Sequence, residues 1–177
     1  MSEVATLEAP TSAVSTHRAA AETVVDKYVP WSMGVGFVPV PLFVAAGLTG
    51  IQLKMLADVS KVYGVPFSEN SARAALLSLI GGIASPALAF GGLGGLVAAV
   101  PILGPFLLPA TLPLLAGAAT FAVGRTFIQH FESGGTYLNF DPAGAKQLFA
   151  ERFAEGKAHA GKFTSSLNQK VAQVIEI

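Results

Sequence analysis

Residues that could do chemistry are few in this sequence and lie far apart. The three histidines are His17, His130 and His159, and no HExxH pattern joins any of them into a zinc site. His130 and Glu132 are close in sequence, but a metal site needs three or four ligands. No GxxxxGK[ST], GxGxxG or GxSxG pattern occurs, although the chain has 19 glycines. We therefore expect no catalytic, cofactor-binding or metal-binding residues, and a protein that is not an enzyme.

The composition is that of a membrane protein. Hydrophobic residues make up 52% of the chain and charged residues 12%, and the mean hydropathy is +0.58. The charged share is about half of that in soluble domains. The 11 basic and 11 acidic residues balance, so no basic field exists to attract nucleic acid. Cysteine is absent, which excludes disulfides and thiolate chemistry.

The segment Ala74–Val123 contains no charged residue and no histidine. One helix needs roughly 20 apolar residues to cross a bilayer, and this segment has more than twice as many. A soluble core helix normally carries charge on the face that meets water. The pattern predicts an all-α membrane protein with a central transmembrane or re-entrant hairpin over residues 72–131. The arms run from about Ser71 to Leu88 and from about Thr111 to Phe131, with a broad turn somewhere in 91–109.

The flanking segments are predicted from their prolines and glycines. Residues 1–15 are expected to be disordered, followed by a helix from about Thr16 to Tyr28 that stops before Pro30. An amphipathic helix is expected within 36–63, starting at Pro41 and ending before Gly64. Early acidic residues and the lack of an apolar segment argue against a signal peptide, so we expect a cytoplasmic amino terminus.

After the hairpin, Ser133-Gly134-Gly135 is a helix stop and Asp141 a helix cap. The last helix is predicted from Pro142 to about Ile175 and is soluble in character. We divide the chain into an N-terminal segment (1–29), a membrane domain (30–140) and a cytoplasmic C-terminal helix (141–177).

One face of the last helix carries apolar or small residues spaced by four and three, which is typical of helix packing. We name this face the α5 seam and predict that it carries assembly. Its residues are Phe149, Phe153, Gly156, Ala160, Phe163 and Leu167.

Small residues recur in the hairpin arms, where they allow helices to approach closely in lipid. The functional interpretation is subunit association in the membrane, and the alternative is packing of the two arms within one chain. Both stay open. The residues are Gly81, Ser85, Ala89, Gly91, Gly95, Ala116, Thr120 and Gly124.

Arg73 and Arg125 flank the charge-free segment, and Trp31 precedes the first apolar helix. An arginine at the bilayer centre costs about 2.5–3.5 kcal/mol on insertion scales, so both arginines are predicted at the interface. Tryptophan concentrates at the same boundary. A hairpin places both arginines on one side, and the positive-inside rule makes that side cytoplasmic. The alternative is a pair that lines an anion path.

Several segments resemble a bacterial family described as domain of unknown function 697. They are Gly36–Pro41, Ile51–Met55, Val62–Gly64, Pro101–Gly104, Ala118–Thr120, Gly124-Arg125 and Phe131–Gly135. The resemblance covers roughly residues 24–140. It implies a membrane-associated module linked to dynamin-like or Era-like GTPases, and no catalytic residues. Family members often carry an acidic residue soon after the Pro-x-Pro, where this chain has Leu42, Phe43 and Val44.

These observations favour a non-enzymatic, self-associating protein of the inner membrane that scaffolds or shapes the membrane or anchors a partner. An oligomeric pore is one alternative, although the arms offer few polar residues to line a path. A membrane partner of a separate GTPase is another. The expected partners are the lipid bilayer, further copies of the chain, and a GTPase or other membrane protein.

Overall fold

The computed structural model describes the backbone of residues 9–37, 41–90 and 93–175. Within these ranges the chain forms five α-helices and no strand, which confirms the all-α prediction. The helices are α1 (Ala9–Val35), α2 (Pro41–Val62), α3 (Glu69–Phe90), α4 (Leu93–Glu132) and α5 (Pro142–Ile175).

Two glycines end helices as the sequence predicts. Gly64 follows α2 with φ of 65°, and Gly134 follows α4 with φ of 78°, a region that L side chains rarely adopt. In both cases the next amide donates to a carbonyl five residues earlier, from Val65 to Ser60 and from Gly135 to His130. At the start of α5, Asp141 caps the amides of Ala143 (2.9 Å) and Gly144 (3.0 Å).

Two helices are longer than predicted. α1 begins at Ala9, within the segment expected to be disordered, and continues through Pro30. A proline inside a helix costs about 3 kcal/mol. Near Pro30, Val29, Ser32 and Met33 are buried. The packing of these residues therefore outweighs the cost of the proline.

α4 begins at Leu93 and includes Pro101, Pro105 and Pro109, so residues 93–109 of the region in which a broad turn was expected are helical. These prolines are spaced by four residues, so they lie on one face of α4. The backbone hydrogen bonds that they remove are therefore confined to that face.

The helices run alternately along one axis. α1 is antiparallel to α4, since Arg18 pairs with Glu132 and Gly36 lies against Pro113. α2 is parallel to α4, since Gln52 bonds to Thr120 and Tyr63 to Glu132. α5 is antiparallel to α4, since Gly156 lies against Ala118 and Ala160 against Gly117. We call the end that contains residues 15–22, 58–70 and 129–145 the polar end. The opposite end is the apolar end, and it contains residues 31–37, 41–50, 77–90 and 93–115.

One hydrophobic core includes residues from all five helices. Its centre near the polar end is Phe127, whose ring stacks on Phe140 at 4.6 Å and contacts Tyr137 at 5.8 Å. Met55, Leu56 and Leu76 fill the space between α2, α3 and α4. This core holds the surfaces described next in fixed positions.

Candidate membrane-contact site

Large apolar side chains are exposed at the apolar end. Trp31 is 68% exposed, Phe37 65% and Phe43 71%. Leu77, Ile80 and Leu115 on α3 and α4 are also exposed at this end, whereas Phe67 and Leu138 are exposed at the polar end. Exposed apolar residues that gather on one surface are typical of a contact with a membrane or another protein.

One segment in the described part of the chain, Thr111–Glu132, is long and apolar enough to cross a membrane. However, 67% of its most apolar window is buried inside the molecule. Phe121, Val123 and Phe127 belong to the shared core, so this half of α4 is also accounted for as the central helix of a bundle.

A groove opens on the surface between α1 and α2, and we name it the α1–α2 groove. It has a volume of about 540 Å³ and an almost entirely apolar wall. Lysines stand at its margins. The lining residues are Lys27, Tyr28, Trp31, Gly47, Gly50, Ile51 and Lys54.

A hydrogen bond joins α1 to α2 beside this groove. The Tyr28 hydroxyl donates to Asp58 Oδ2 at 2.6 Å, and Lys61 Nζ donates to the other carboxylate oxygen at 2.9 Å. Burial, together with the bond to Asp58, raises the pKa of Tyr28 to about 12. The hydrogen bonds from Tyr28 and Lys61 lower the pKa of Asp58. The neutral phenol and the ionised carboxylate are therefore the stable pair at neutral pH.

The three predicted interface residues have different surroundings. Trp31 is exposed and lines the groove. Arg73 is exposed and pairs with Glu69 on its own helix at 2.9 Å. Arg125 is largely buried between α1 and α4, where it pairs with Glu22, lies 3.9 Å from Asp26 and covers the ring of Phe121.

Ion pairs between helices were not predicted from the sequence. Arg18 on α1 pairs with Glu132 on α4 at 2.7 Å, and Tyr63 on α2 donates to the same carboxylate at 3.1 Å. Burial and the Glu132 charge raise the pKa of Tyr63. His159 Nε2 on α5 lies 3.4 Å from Asp26. The partners are far apart in sequence, so no local spacing could have revealed them.

The α5 seam faces α4 of the same chain. Phe149 and Ala160 are buried, and a Cβ built on Gly156 would lie 2.8 Å from the carbonyl oxygen of Ala118. Phe153 and Phe163 are partly buried against the core. The side chain of Leu167 lies outside the described residues.

The predicted small-residue stripe is divided by the structure. Ala116, Thr120 and Gly124 pack inside the bundle, where Gly124 lies against Val25 and Gln52 donates to the Thr120 hydroxyl at 3.4 Å. Gly81 faces open space on α3. The other stripe positions lie outside the described side chains; they are Ser85, Ala89, Gly91 and Gly95.

No group of three or more potential metal ligands is present in the part of the chain that the structure describes. His130 Nε2 lies 2.9 Å from the carbonyl oxygen of Thr136, and Glu132 is held by Arg18 and Tyr63. These two residues therefore have structural partners near the polar end.

Comparison with known proteins finds a relative in Magnetospirillum gryphiswaldense strain MSR-1. This chain is 36% identical to magnetosome membrane protein 22 over 142 aligned residues. The aligned region covers 80% of this chain and 73% of the relative. No family model matches the chain, so the resemblance to the domain of unknown function 697 rests on the quoted segments alone. No solved structure matches it. The chain belongs to the same protein family as magnetosome membrane protein 22.

Proposed function

We propose that this chain is a non-enzymatic protein of the inner membrane that inserts its apolar end into the bilayer and scaffolds or shapes that membrane, or anchors a partner, by self-association. The observation that carries this proposal is the one-sided surface. Trp31, Phe37 and Phe43 are exposed at the end whose helices continue into the charge-free segment, while paired charges such as Arg18 and Glu132 lie at the opposite end. The name of the relative, a membrane protein, supports the same assignment.

The lengths of the two hairpin arms favour a re-entrant insertion. At 1.5 Å per residue, residues 93–110 of α4 span about 27 Å, close to the roughly 30 Å hydrocarbon core. Beyond the buried Leu79, α3 has residues 80–90, which span about 16 Å. The shorter arm does not reach across the core. A hairpin that enters and returns leaves both termini in the cytoplasm.

The helix ends at the hairpin tip support self-association. The end of α3 at Phe90 and the start of α4 at Leu93 leave carbonyl and amide groups without helical partners. Lipid cannot hydrogen-bond these groups, so protein or water must cover them. The open surface at Gly81, where a Cβ would meet nothing within 4 Å, permits the close approach of a helix from a second copy.

α5 lies on the water side in this proposal. Lys162 and Ser165 are exposed on its second half, just past the contact between Ala160 and Gly117, which lies outside the inserted arm 93–110 of α4. We therefore place the α3–α4 hairpin in the membrane, with the α1–α2 tip and the second half of α5 at its surface.

The two alternatives receive less support. Thr120, one of the polar residues available for a pore, is buried and bonded to Gln52 within the bundle. The GTPase interpretation rests on the family resemblance. Deleting 142–177 is a poor test of it, because Phe149 and Ala160 are part of the core.

Depth measurements with single cysteines test the proposal, since the natural chain has no cysteine. Phe43→Cys and Ile80→Cys, labelled with a fluorophore and reconstituted in vesicles, should be quenched by nitroxides attached to lipid acyl chains. Ser68→Cys and Ser133→Cys, both exposed at the polar end, are the matched water-side controls and should not be quenched. Equal quenching at all four positions, or none at Phe43 and Ile80, would contradict insertion of the apolar end. A strictly monomeric protein after mild detergent extraction would contradict self-association.

A further inference from the structure

The α1–α2 groove lies at the boundary between the charged and the charge-free parts of two antiparallel helices. α1 has no charged residue after Lys27, and α2 has none before Lys54. Residues 28–53 are therefore free of charge, and the two lysines that bracket them meet at one groove. The groove therefore places an apolar wall directly beside two positive charges.

The wall of the groove suits a hydrocarbon chain. Trp31 and Ile51 supply apolar surface, and Gly50 on α2 supplies space. A Cβ built on Gly50 would meet nothing within 4 Å, so the missing side chain leaves the groove open. A volume of about 540 Å³ falls within the range of small-molecule sites, about 300–1,000 Å³.

Neither lysine at the groove forms a direct ion pair in the described part of the chain, although the charge of Lys54 contributes to lowering the pKa of Asp58. Neither Lys27 nor Lys54 has a carboxylate within 4.0 Å in the described part of the chain. Asp58, one turn beyond Lys54, already accepts from Tyr28 and Lys61. Lys27 lies 5.7 Å from the centre of the Tyr28 ring. The groove thus presents two ammonium groups above an apolar wall.

We propose that the α1–α2 groove binds one anionic phospholipid, with an acyl chain against Trp31 and Ile51 and the phosphodiester between the ammonium groups of Lys27 and Lys54. This proposal rests on the proposed function, because it requires contact with a membrane. A free phosphate leaves the apolar wall unused, and an uncharged lipid leaves the lysines unpaired. Each lysine near an anionic surface is expected to strengthen binding about fivefold.

Trp31 reports on the groove directly, because it is the chain's single tryptophan and it lines the wall. Its fluorescence is measured in vesicles that contain either phosphatidylglycerol or phosphatidylcholine with brominated acyl chains at equal mole fraction. Brominated phosphatidylglycerol should reach half-maximal quenching at a mole fraction several-fold lower than brominated phosphatidylcholine. Equal quenching by both lipids would overturn the groove proposal while leaving membrane insertion intact. Failure of the protein to bind either vesicle would overturn the proposed function and the groove with it.

The lysines are tested with a charge-matched pair of variants. Lys27→Gln with Lys54→Gln should abolish the preference for phosphatidylglycerol. Lys157→Gln with Lys162→Gln removes the same charge from α5 and should leave the preference unchanged. If both double variants lose the preference equally, the effect is one of overall charge and the proposal is wrong.

The space in the groove is tested with a size-matched pair. Gly50→Leu adds a bulky side chain to the groove at a position where a Cβ meets nothing within 4 Å, so it should abolish the preference while membrane binding and helix content stay unchanged. Gly161→Leu adds the same side chain to an open position on α5 and should have no effect. Glycerol phosphate at millimolar concentration should not reverse the quenching by phosphatidylglycerol. Persistence of the preference in Gly50→Leu would show that the acyl chain lies elsewhere.

Discussion

Glycine has opposite roles in two parts of this bundle. Between α4 and α5, Gly156 lets two backbones touch, and a methyl group there would lie 2.8 Å from the Ala118 carbonyl oxygen. Between α1 and α2, Gly50 leaves a groove that a methyl group would enter freely. A small residue on an apolar helix can therefore mark either a close contact or an opening. Its spacing in the sequence does not distinguish the two.

The largest expected effect comes from closing the tight contact. Gly156→Ala should destabilise the fold by about 1–3 kcal/mol, because the added methyl group meets backbone that cannot rotate away. Thermal unfolding in one detergent gives the difference from wild type. Gly161→Ala, on the same helix with nothing within 4 Å, is the matched control and should instead stabilise by about 0.5–1 kcal/mol. Equal shifts for the two variants would mean that α5 does not contact α4 at Gly156.

Two ion pairs, one largely buried between α1 and α4 and one exposed on α3, should differ in the same way. Arg125→Met keeps the apolar stem but leaves Glu22 without its partner and Asp26 with His159 alone, and should cost about 1–2 kcal/mol because these carboxylates are only partly hydrated. Arg73→Met removes an exposed pair on one helix and should cost under about 0.5 kcal/mol. Chemical unfolding of both variants measures the difference. A larger loss for Arg73→Met would contradict the burial of Arg125.

The hydrogen bond beside the open groove is expected to contribute less. Tyr28→Phe should cost about 1 kcal/mol at neutral pH, since it removes the bond to Asp58. The pH dependence has two arms. The pKa of Asp58 is lowered on folding from 3.8, so its contribution is present above that value and is lost as the pH falls below it. The pKa of Tyr28 is raised from 10.0 to about 12, so its contribution is present below pH 10 and is lost between pH 10 and 12.

Unfolding free energies across this range provide the measurement. In Tyr28→Phe the alkaline loss should become smaller but not vanish, because burial also raises the pKa of Tyr63 and of Tyr137. An unchanged alkaline arm in the variant would exclude the Tyr28–Asp58 bond.

A smaller change in stability is expected at the groove itself. Gly50→Ala should stabilise the protein by about 0.5–1 kcal/mol, the ordinary gain of alanine over glycine in a helix. Thermal unfolding measures this gain beside the loss at Gly156. Destabilisation by Gly50→Ala would show that the groove is closed in the folded protein.

The positions of the helices followed largely from local signals. Gly64, Gly134 and Asp141 stop or cap helices through bonds within a few residues, and such bonds can be inferred from spacing. The two wrong boundaries involve prolines. Pro30 lies inside α1, and four prolines lie inside α4, from Pro101 to Pro113. At Pro30, the burial of Val29, Ser32 and Met33 compensates the local cost, and the sequence pattern does not show this burial.

The surfaces were less predictable. The α5 seam was predicted to carry assembly, and within the chain Gly156 and Ala160 of this seam pack against α4. The α1–α2 groove was not predicted at all. Lys27 and Lys54 are separated by a turn and two half-helices, so only their shared level along antiparallel helices brings them together.

The sequence by itself determined the all-α class, the helix ends marked by Gly64, Gly134 and Asp141, and the charge-free centre, because each depends on residue type and short-range spacing. Tertiary structure alone decided which glycines touch a neighbour, which arginine is buried and where the apolar end lies. These properties depend on contacts between helices far apart in the chain. The free energy of such contacts comes from packing and from removing water, and neither is encoded in the spacing of one helix.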